Sequence, residues 1–159
     1  MSTTVHKIAD LPTTLVGVAG EYFVAAELSR QGYIASITLR NTRGIDVLAA
    51  NSDASKSVGI QVKTNTLKKK DWILNEKADT ACSDSLFYVF VNLNEAGLLP
   101  QFHVVPSGVV AAYVSSSHKK WLSTPGRGGK QHRENPMRHF RDPQNEFLDK
   151  WELLGLDES

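Results

Sequence analysis

The chain has 159 residues, 41% of them hydrophobic and 22% charged, with a formal net charge of +1: enough apolar material for one sizeable core, which excludes wholesale disorder and gives no global cationic pull on nucleic acid. A single cysteine, Cys82, excludes an intrachain disulfide framework, and the expectation is a partly buried structural thiol in a reducing, cytoplasmic compartment. No stretch approaches the ~18 apolar residues of a membrane span and no cationic region precedes an apolar core at the N-terminus, so the chain is read as a single domain, residues 1–159, without membrane association.

The first element is an amphipathic helix from about Thr14 to Gln31, with Thr13 or Thr14 as N-cap and Gly32 as its stop. Val18, Glu21, Ala25 and Leu28 are spaced three, four and three, which places Glu21 on an apolar stripe and predicts that its carboxylate points inward. Gly17, Ala19 and Gly20 around it allow close approach to a sheet, the expected compensation for glycines that each cost about 1 kcal/mol in a helix. Tyr33–Ile37 reads as the first strand, followed by a polar turn in which Arg40 and Arg43 are candidate phosphate contacts.

Residues 43–50 form a second β-rich run with Asp46 near its start, and residues 57–64 a third. In the third run Val58, Ile60 and Val62 face one side while Gln61 and Lys63 share the other. The polar stretch 51–56 between them predicts a hairpin, which sets Asp46 across from Gln61 and Lys63. Residues 64–71 then read as a loop whose Lys68, Lys69 and Lys70 are either a solvated run or substrate contacts, given their place directly after the third strand.

Ser85–Asn92 is continuously apolar and predicts a central strand covered on both faces; a turn at 94–97 and a strand at 101–105 follow. His103 on that strand is read as structural or surface, with a site-lining position as the alternative. A helix starts near Pro106 and Ser107 and runs to about Leu122, with Val109, Val110, Tyr113 and Val114 as its buried stripe. Residues 123–141 read as a basic flexible loop, either a lid over the site or a solvated arm. Between 113 and 141 seven basic side chains face one acid, Glu134, and Lys119, Lys120, Arg127, Lys130 and Arg133 are candidate contacts to a phosphate backbone. Residues 143–156 close the chain as a helix docking Phe147, Leu148, Trp151 and Leu154. The elements together argue an α/β fold, a mixed sheet flanked by helices.

Glu21, Asp46, Gln61 and Lys63 make chemical sense as a unit. Carboxylate and carbonyl oxygens suit Mg²⁺ or Mn²⁺, whereas Zn²⁺ draws on Cys or His. A metal on Asp46, the Gln61 side chain and the Val62 carbonyl would polarise a phosphodiester and bind the attacking water. Lys63 would stabilise the developing charge or steer that water, and Glu21 would orient it or complete a second, weaker metal position.

Glu21 on the first helix, Gly44-x-Asp46 and Gln61-x-Lys63 resemble the core of the restriction-endonuclease-like PD-(D/E)XK nuclease superfamily. The Gln is similar to that of the Mrr-type variant, and the helix Glu to that of archaeal Holliday junction resolvases. Ile45 stands where the motif has Pro, and Gln61 removes one negative charge from the metal site. The resemblance implies an α-β-β-β-α-β core and divalent-metal hydrolysis of DNA by Asp46, Gln61 and Lys63 with Glu21 in support. A non-catalytic nucleic-acid or protein-binding module on the same scaffold, antitoxin-like or inhibitory, is the competing class. A homodimer is plausible for paired cuts on two strands.

Overall fold

The computed structural model describes residues 7–39, 44–66 and 68–157. Helix α1 spans Thr13–Arg30 and leads through Gly32, in the left-handed region at φ +93°, into strand β1, Ile34–Ile37. Pro12, not a threonine, occupies the N-cap, and no side chain caps that end. Strand β2 (Val47–Ala50) and β3 (Ser57–Asn65) form the expected hairpin, with Val47 opposite Ile60 and Ala50 opposite Ser57. The turn between them is tied by Asn51, whose Oδ1 accepts the Lys56 N–H at 2.9 Å, and by Asp53, whose Oδ1 accepts from Ser55.

Strand β5 (Leu86–Asn92) runs parallel to β3, and β6 (Gln101–Pro106) antiparallel to β5, giving the order β1-β2-β3-β5-β6. As its unbroken apolar run demands, β5 is covered on both faces. Phe87, Val89 and Val91 join Val24 and Leu28 of α1 with Val58, Ile60 and Val62; Tyr88 and Phe90 join Val110 and Val114 of the second helix, α2 (Ser107–Ser123). The buried stripe of α2 is rotated from expectation: Val110, Ala111 and Val114 turn inward, while Val109 and Tyr113 stay exposed. Pro106 stands at its N-cap without a side-chain cap.

The parallel crossover from β3 to β5 is built from strand β4 (Asp71–Asn75) and a 3₁₀ turn, Glu76–Asp79. Strand β4 pairs antiparallel with β7 (Met137–Arg141), so the segment expected as a flexible loop or lid over 123–141 contains half of a second, two-stranded sheet. Its alternation is period two with Arg138 and Phe140 inward. Trp72 pins this ribbon to the main sheet, its indole N–H donating to the Val91 carbonyl at 3.0 Å.

The helix expected over 143–156 does not form. Asn145 and Asp149 have φ of +59° and +54°, which interrupts helical winding, and the backbone pairs with β6 instead: Val104 N–H donates to the Phe147 carbonyl at 2.9 Å and Asp149 N–H to that of Phe102 at 2.8 Å. Only Trp151–Leu154 turns, as a 3₁₀ helix, and it docks Trp151 and Leu154 in the core beside Phe102. Cys82 is exposed rather than partly buried, on the turn before β5.

Candidate active site

Strands β2 and β3 part company just beyond the Val47 and Ile60 pair, and Asp46 sits at the fork. One more residue of that register would put it opposite Gln61. Its backbone is held from both sides: the N–H donates to the Ile60 carbonyl at 2.8 Å, and the carbonyl accepts the Thr38 N–H at 3.0 Å. Thr38 adds a second tie, its hydroxyl donating to the Ile45 carbonyl at 2.6 Å. The carboxylate then takes the place of the missing strand, with Oδ2 accepting the Val62 N–H at 2.7 Å. In an extended strand a residue's N–H and C=O point to the same edge, so the Val62 carbonyl lies on the edge that Asp46 caps. This hydrogen bond explains why an acid stands among apolar neighbours: it satisfies a backbone donor that the fork would otherwise orphan.

Gln61 and Lys63, both half-buried, project from the opposite face to Val58, Ile60 and Val62, as the alternation predicts. They line one open cleft of about 780 Å³ with Asn75, Lys77, Ala78 and Tyr88. Tyr88 pairs with Gln61 across the parallel ladder and forms the apolar floor.

Glu21 reaches the fork from the other side. It is half-buried and lines a separate cavity with Gly17, Val18, Thr38, Ile45 and Asp46. The most deeply buried stripe of α1 is Val16, Gly20, Val24 and Leu28, so Glu21 stands at the margin of that stripe rather than on its axis. A Cβ on Gly20 would come within 1.8 Å of Thr64 Oγ1, so the missing side chain is what lets this turn of helix rest on β3 and carry Glu21 to the Asp46 side. Arg30, the cation at the C-terminal end of the same helix, binds Glu27 at 2.9 Å. The structure thus unites Glu21 with Asp46 in one cavity, Gln61 with Lys63 in another, and Asp46 with Val62 by a hydrogen bond between the two. It does not place Glu21 in the cleft that Gln61 and Lys63 line.

Of the oxygens available for a cation, Asp46 is joined to Val62 by that hydrogen bond with Glu21 on the same side, while the Gln61 amide lies in the other cleft. That all-oxygen composition fits a hard divalent cation of low site charge. Among the described residues no three His, Cys, Asp or Glu side chains gather as a metal cluster.

The cationic candidates divide. Arg40 and Arg43 lie outside the described residues. Lys68 and Lys69 are exposed and Lys70 half-buried on the loop leaving β3, which Asn65 ties down by donating to the Lys69 and Asp71 carbonyls at 2.8 and 3.0 Å. Lys119, Lys120, Arg127, Lys130 and Arg133 are all exposed at the end of α2 and in the following loop. Two other basic side chains of that region are committed to structure. Arg138 is buried and grips Asp79 at 2.9 Å, and Arg141 shares Asp71 with His139, each at 2.8 Å. Burial raises the Asp71 carboxyl, but these two hydrogen bonds outweigh it and hold it below the ordinary range.

His103 is fully buried, with its Nδ1 at 2.6 Å from Asp142. Burial holds the imidazole below its ordinary value, against the raising influence of Asp142, so it is neutral and donates Nδ1–H to the carboxylate. Asp142 also accepts the Glu146 and Phe147 N–H groups, fixing the turn after β7. His103 is therefore structural. The alternation of β6 put it opposite Phe102 and Val104, yet only the pairing of residues 142–149 with β6 shows that this face is sealed.

No family model matches the chain, and neither does any curated protein. Among solved structures the fold is similar to that of a bacterial homing endonuclease, I-Ssp6803I, with a TM-score of 0.55 at 15% identity over 91% of this chain and 92% of that one. A looser likeness, TM-score 0.44 at 13% identity over 79% and 84%, is to Hjc, a Holliday junction resolvase of Archaeoglobus fulgidus. The architecture, a central mixed sheet flanked by helices, is restriction-endonuclease-like. At this identity the likeness is one of fold.

Proposed function

We propose that this chain is a metal-dependent endonuclease that hydrolyses DNA phosphodiesters with Mg²⁺ or Mn²⁺, with Gln61-x-Lys63 used in the manner of the Mrr-type variant. The observation that carries the reading is the Asp46 to Val62 hydrogen bond. It fixes an acid at the fork of two strands and ties it to the backbone of the residue between Gln61 and Lys63, on a restriction-endonuclease-like sheet. Asp46, Gln61 and the Val62 carbonyl would hold the cation, which when bound supplies Lewis-acid polarisation of the phosphate and a more acidic water. Lys63 projects into the cleft where a phosphate would lie, and its charge opposes that developing on the phosphorus. Glu21, across the fork, orients water on the Asp46 side. Lys68, Lys69 and the exposed cations after α2 contribute non-specific attraction to the backbone, which weakens as salt rises. Cutting both strands of a duplex calls for two such sites, and a homodimer is the arrangement we propose.

The test is cleavage of supercoiled, linear, single-stranded and four-way DNA by purified protein, with and without Mn²⁺. Asp46→Ala and Lys63→Ala are expected to lower the rate by about 10²-fold or more with folding intact. Wild-type rates in either variant sink the assignment. Binding of DNA with no turnover in any metal assigns the chain to the non-catalytic class instead, and calorimetric titration of Mn²⁺ into wild-type and Asp46→Asn protein locates the metal independently.

A further inference from the structure

A second concave site lies between the C-terminal half of α2 and the outward face of β7. Tyr113, Ser117 and Trp121 recur every four residues along the helix, and Met137, His139 and Arg141 alternate along the strand. They enclose about 210 Å³, room for one planar ring system and far too little for a duplex. Trp121 is 37% exposed and Tyr113 37% exposed, so two aromatic rings border solvent here. Trp121 is braced by rings: its centroid lies 4.0 Å from that of His132 and 5.4 Å from that of His118, both stacked. His118 is itself fixed by Glu134 at 2.7 Å.

The polar groups in the wall offer both hydrogen-bonding senses. Asn135, in the pocket wall, accepts the Met137 N–H with Oδ1 at 2.9 Å, which leaves its amide N–H groups as donors. His139 gives Nδ1 to Asp71, which leaves Nε2 as an acceptor in the neutral ring. Close by in the chain, at the end of α2 and in the loop that leads to β7, stand the exposed Lys119, Lys120, Arg127, Lys130 and Arg133, while the acid of the region, Glu134, is engaged with His118. Partly exposed aromatic rings beside a cationic loop, with hydrogen-bonding side chains in the same wall, suit an unpaired base on a negatively charged strand.

From this geometry we infer that the α2 and β7 pocket binds one unpaired nucleobase of a single-stranded nucleic acid, with the cations after α2 holding the flanking phosphates. The position strengthens the point. Met137, in this pocket, is the β-ladder partner of Asn75, which lines the cleft of Gln61 and Lys63, so one rung of the ribbon contributes a residue to each cavity. Paired strands lie about 5 Å apart, and a single strand could run from the pocket to the cleft. The inference deepens the nuclease reading by naming a substrate feature, an unpaired nucleotide beside the cut.

Fluorescence anisotropy in EDTA tests it with the full chain at fixed salt, using single-stranded DNA and RNA 12-mers and abasic 12-mers of equal charge. The natural strand should bind at least about fivefold tighter than its abasic counterpart. Trp121→Leu, at a partly exposed ring, should bring it to the abasic level, and the double variant Lys119→Ala, Lys120→Ala should weaken both strands alike. Base-dependent binding by DNA or RNA, lost in Trp121→Leu, supports the pocket and identifies its strand. Equal binding of natural and abasic strands, or an unchanged Trp121→Leu variant, overturns it. Asp46→Ala separates the two readings: lost cleavage with intact base-dependent binding supports both. Base-dependent binding by a wild-type protein that cuts nothing leaves the pocket standing without the nuclease.

Discussion

Substituting alanine at Gly20 and at Gly17 should move stability in opposite directions, although both glycines lie inside the same helix. Helix propensity alone favours either change by about 1 kcal/mol. At Gly17 a new Cβ meets nothing within 4 Å, so that gain should be realised. At Gly20 it would lie 1.8 Å from Thr64 Oγ1, 3.0 Å from Thr64 Cβ and 3.1 Å from Cγ2. Turning χ1 can move the hydroxyl and the methyl, but the Thr64 Cβ is fixed by the backbone of β3. Relief therefore needs a shift of the helix, and overpacking of this kind costs about 1–3 kcal/mol. The net expectation for Gly20→Ala is a loss of up to about 2 kcal/mol, or roughly 2–4 °C of Tm for each kcal/mol in a chain of this size. Urea melts of the two single variants, with Thr64→Ala added to Gly20→Ala, measure it. The double variant should recover part of the loss, since Oγ1 and Cγ2 go while the 3.0 Å Cβ contact stays. Because Glu21 is the next residue, the shift should also lower cleavage relative to Gly17→Ala. A Gly20→Ala protein as stable as Gly17→Ala would refute the account of how α1 seats on β3.

The buried His103 and Asp142 pair makes the fold acid-sensitive. Burial depresses His103, so below about pH 6.5 the unfolded chain takes up a proton that the folded one resists, and stability falls with pH. Asp142 is raised by burial, but hydrogen bonds from His103, Phe147 and Glu146 depress it below the ordinary range, adding a further loss as pH falls under about 4. The urea midpoint of wild type should decline from pH 7 to pH 5 more steeply than that of His103→Asn; equal slopes contradict the assignment. Arg138 has a side chain 7% exposed and donates through Nε and Nη2 to Asp79 and through Nη1 to the Asn135 and Met137 carbonyls. Arg138→Ala should cost about 3 kcal/mol by stranding those acceptors, read as a fall in Tm, while a change under about 0.5 kcal/mol would show that the ribbon is held by packing alone.

Local pattern was sufficient wherever the determining contacts are local. The period-two alternation of residues 57–65 and the polar turn before it state the β2 and β3 hairpin, hence the meeting of Asp46 with the Gln61 and Lys63 segment, because a hairpin's register follows from its own loop. The unbroken run 86–92 likewise states a strand buried on both faces. The second sheet was illegible for a physical reason. In β7 the inward positions are Arg138 and Phe140, and Arg138 reads as solvent-facing until Asp79, 59 residues earlier, neutralises it. In β4 the outward Ile73, 59% exposed, hides the alternation of Trp72 and Leu74. The same non-locality misled the C-terminal reading. Phe147, Leu148, Trp151 and Leu154 do recur at helical spacing, yet the backbone hydrogen bonds that β6 offers at Phe102 and Val104, with Asp142 closing the turn, compete successfully with helix. Both of these errors therefore fall where a segment's partner comes from a distant part of the chain. That is also why the α2 and β7 pocket could not be read from residues 113–141 as a line: its two walls become neighbours only after β7 finds β4. If base recognition resides there, register-breaking changes in β4, such as Leu74→Pro, should abolish base-dependent binding while leaving the Asp46 to Val62 fork, built wholly from residues 38–62, to form on its own ladder.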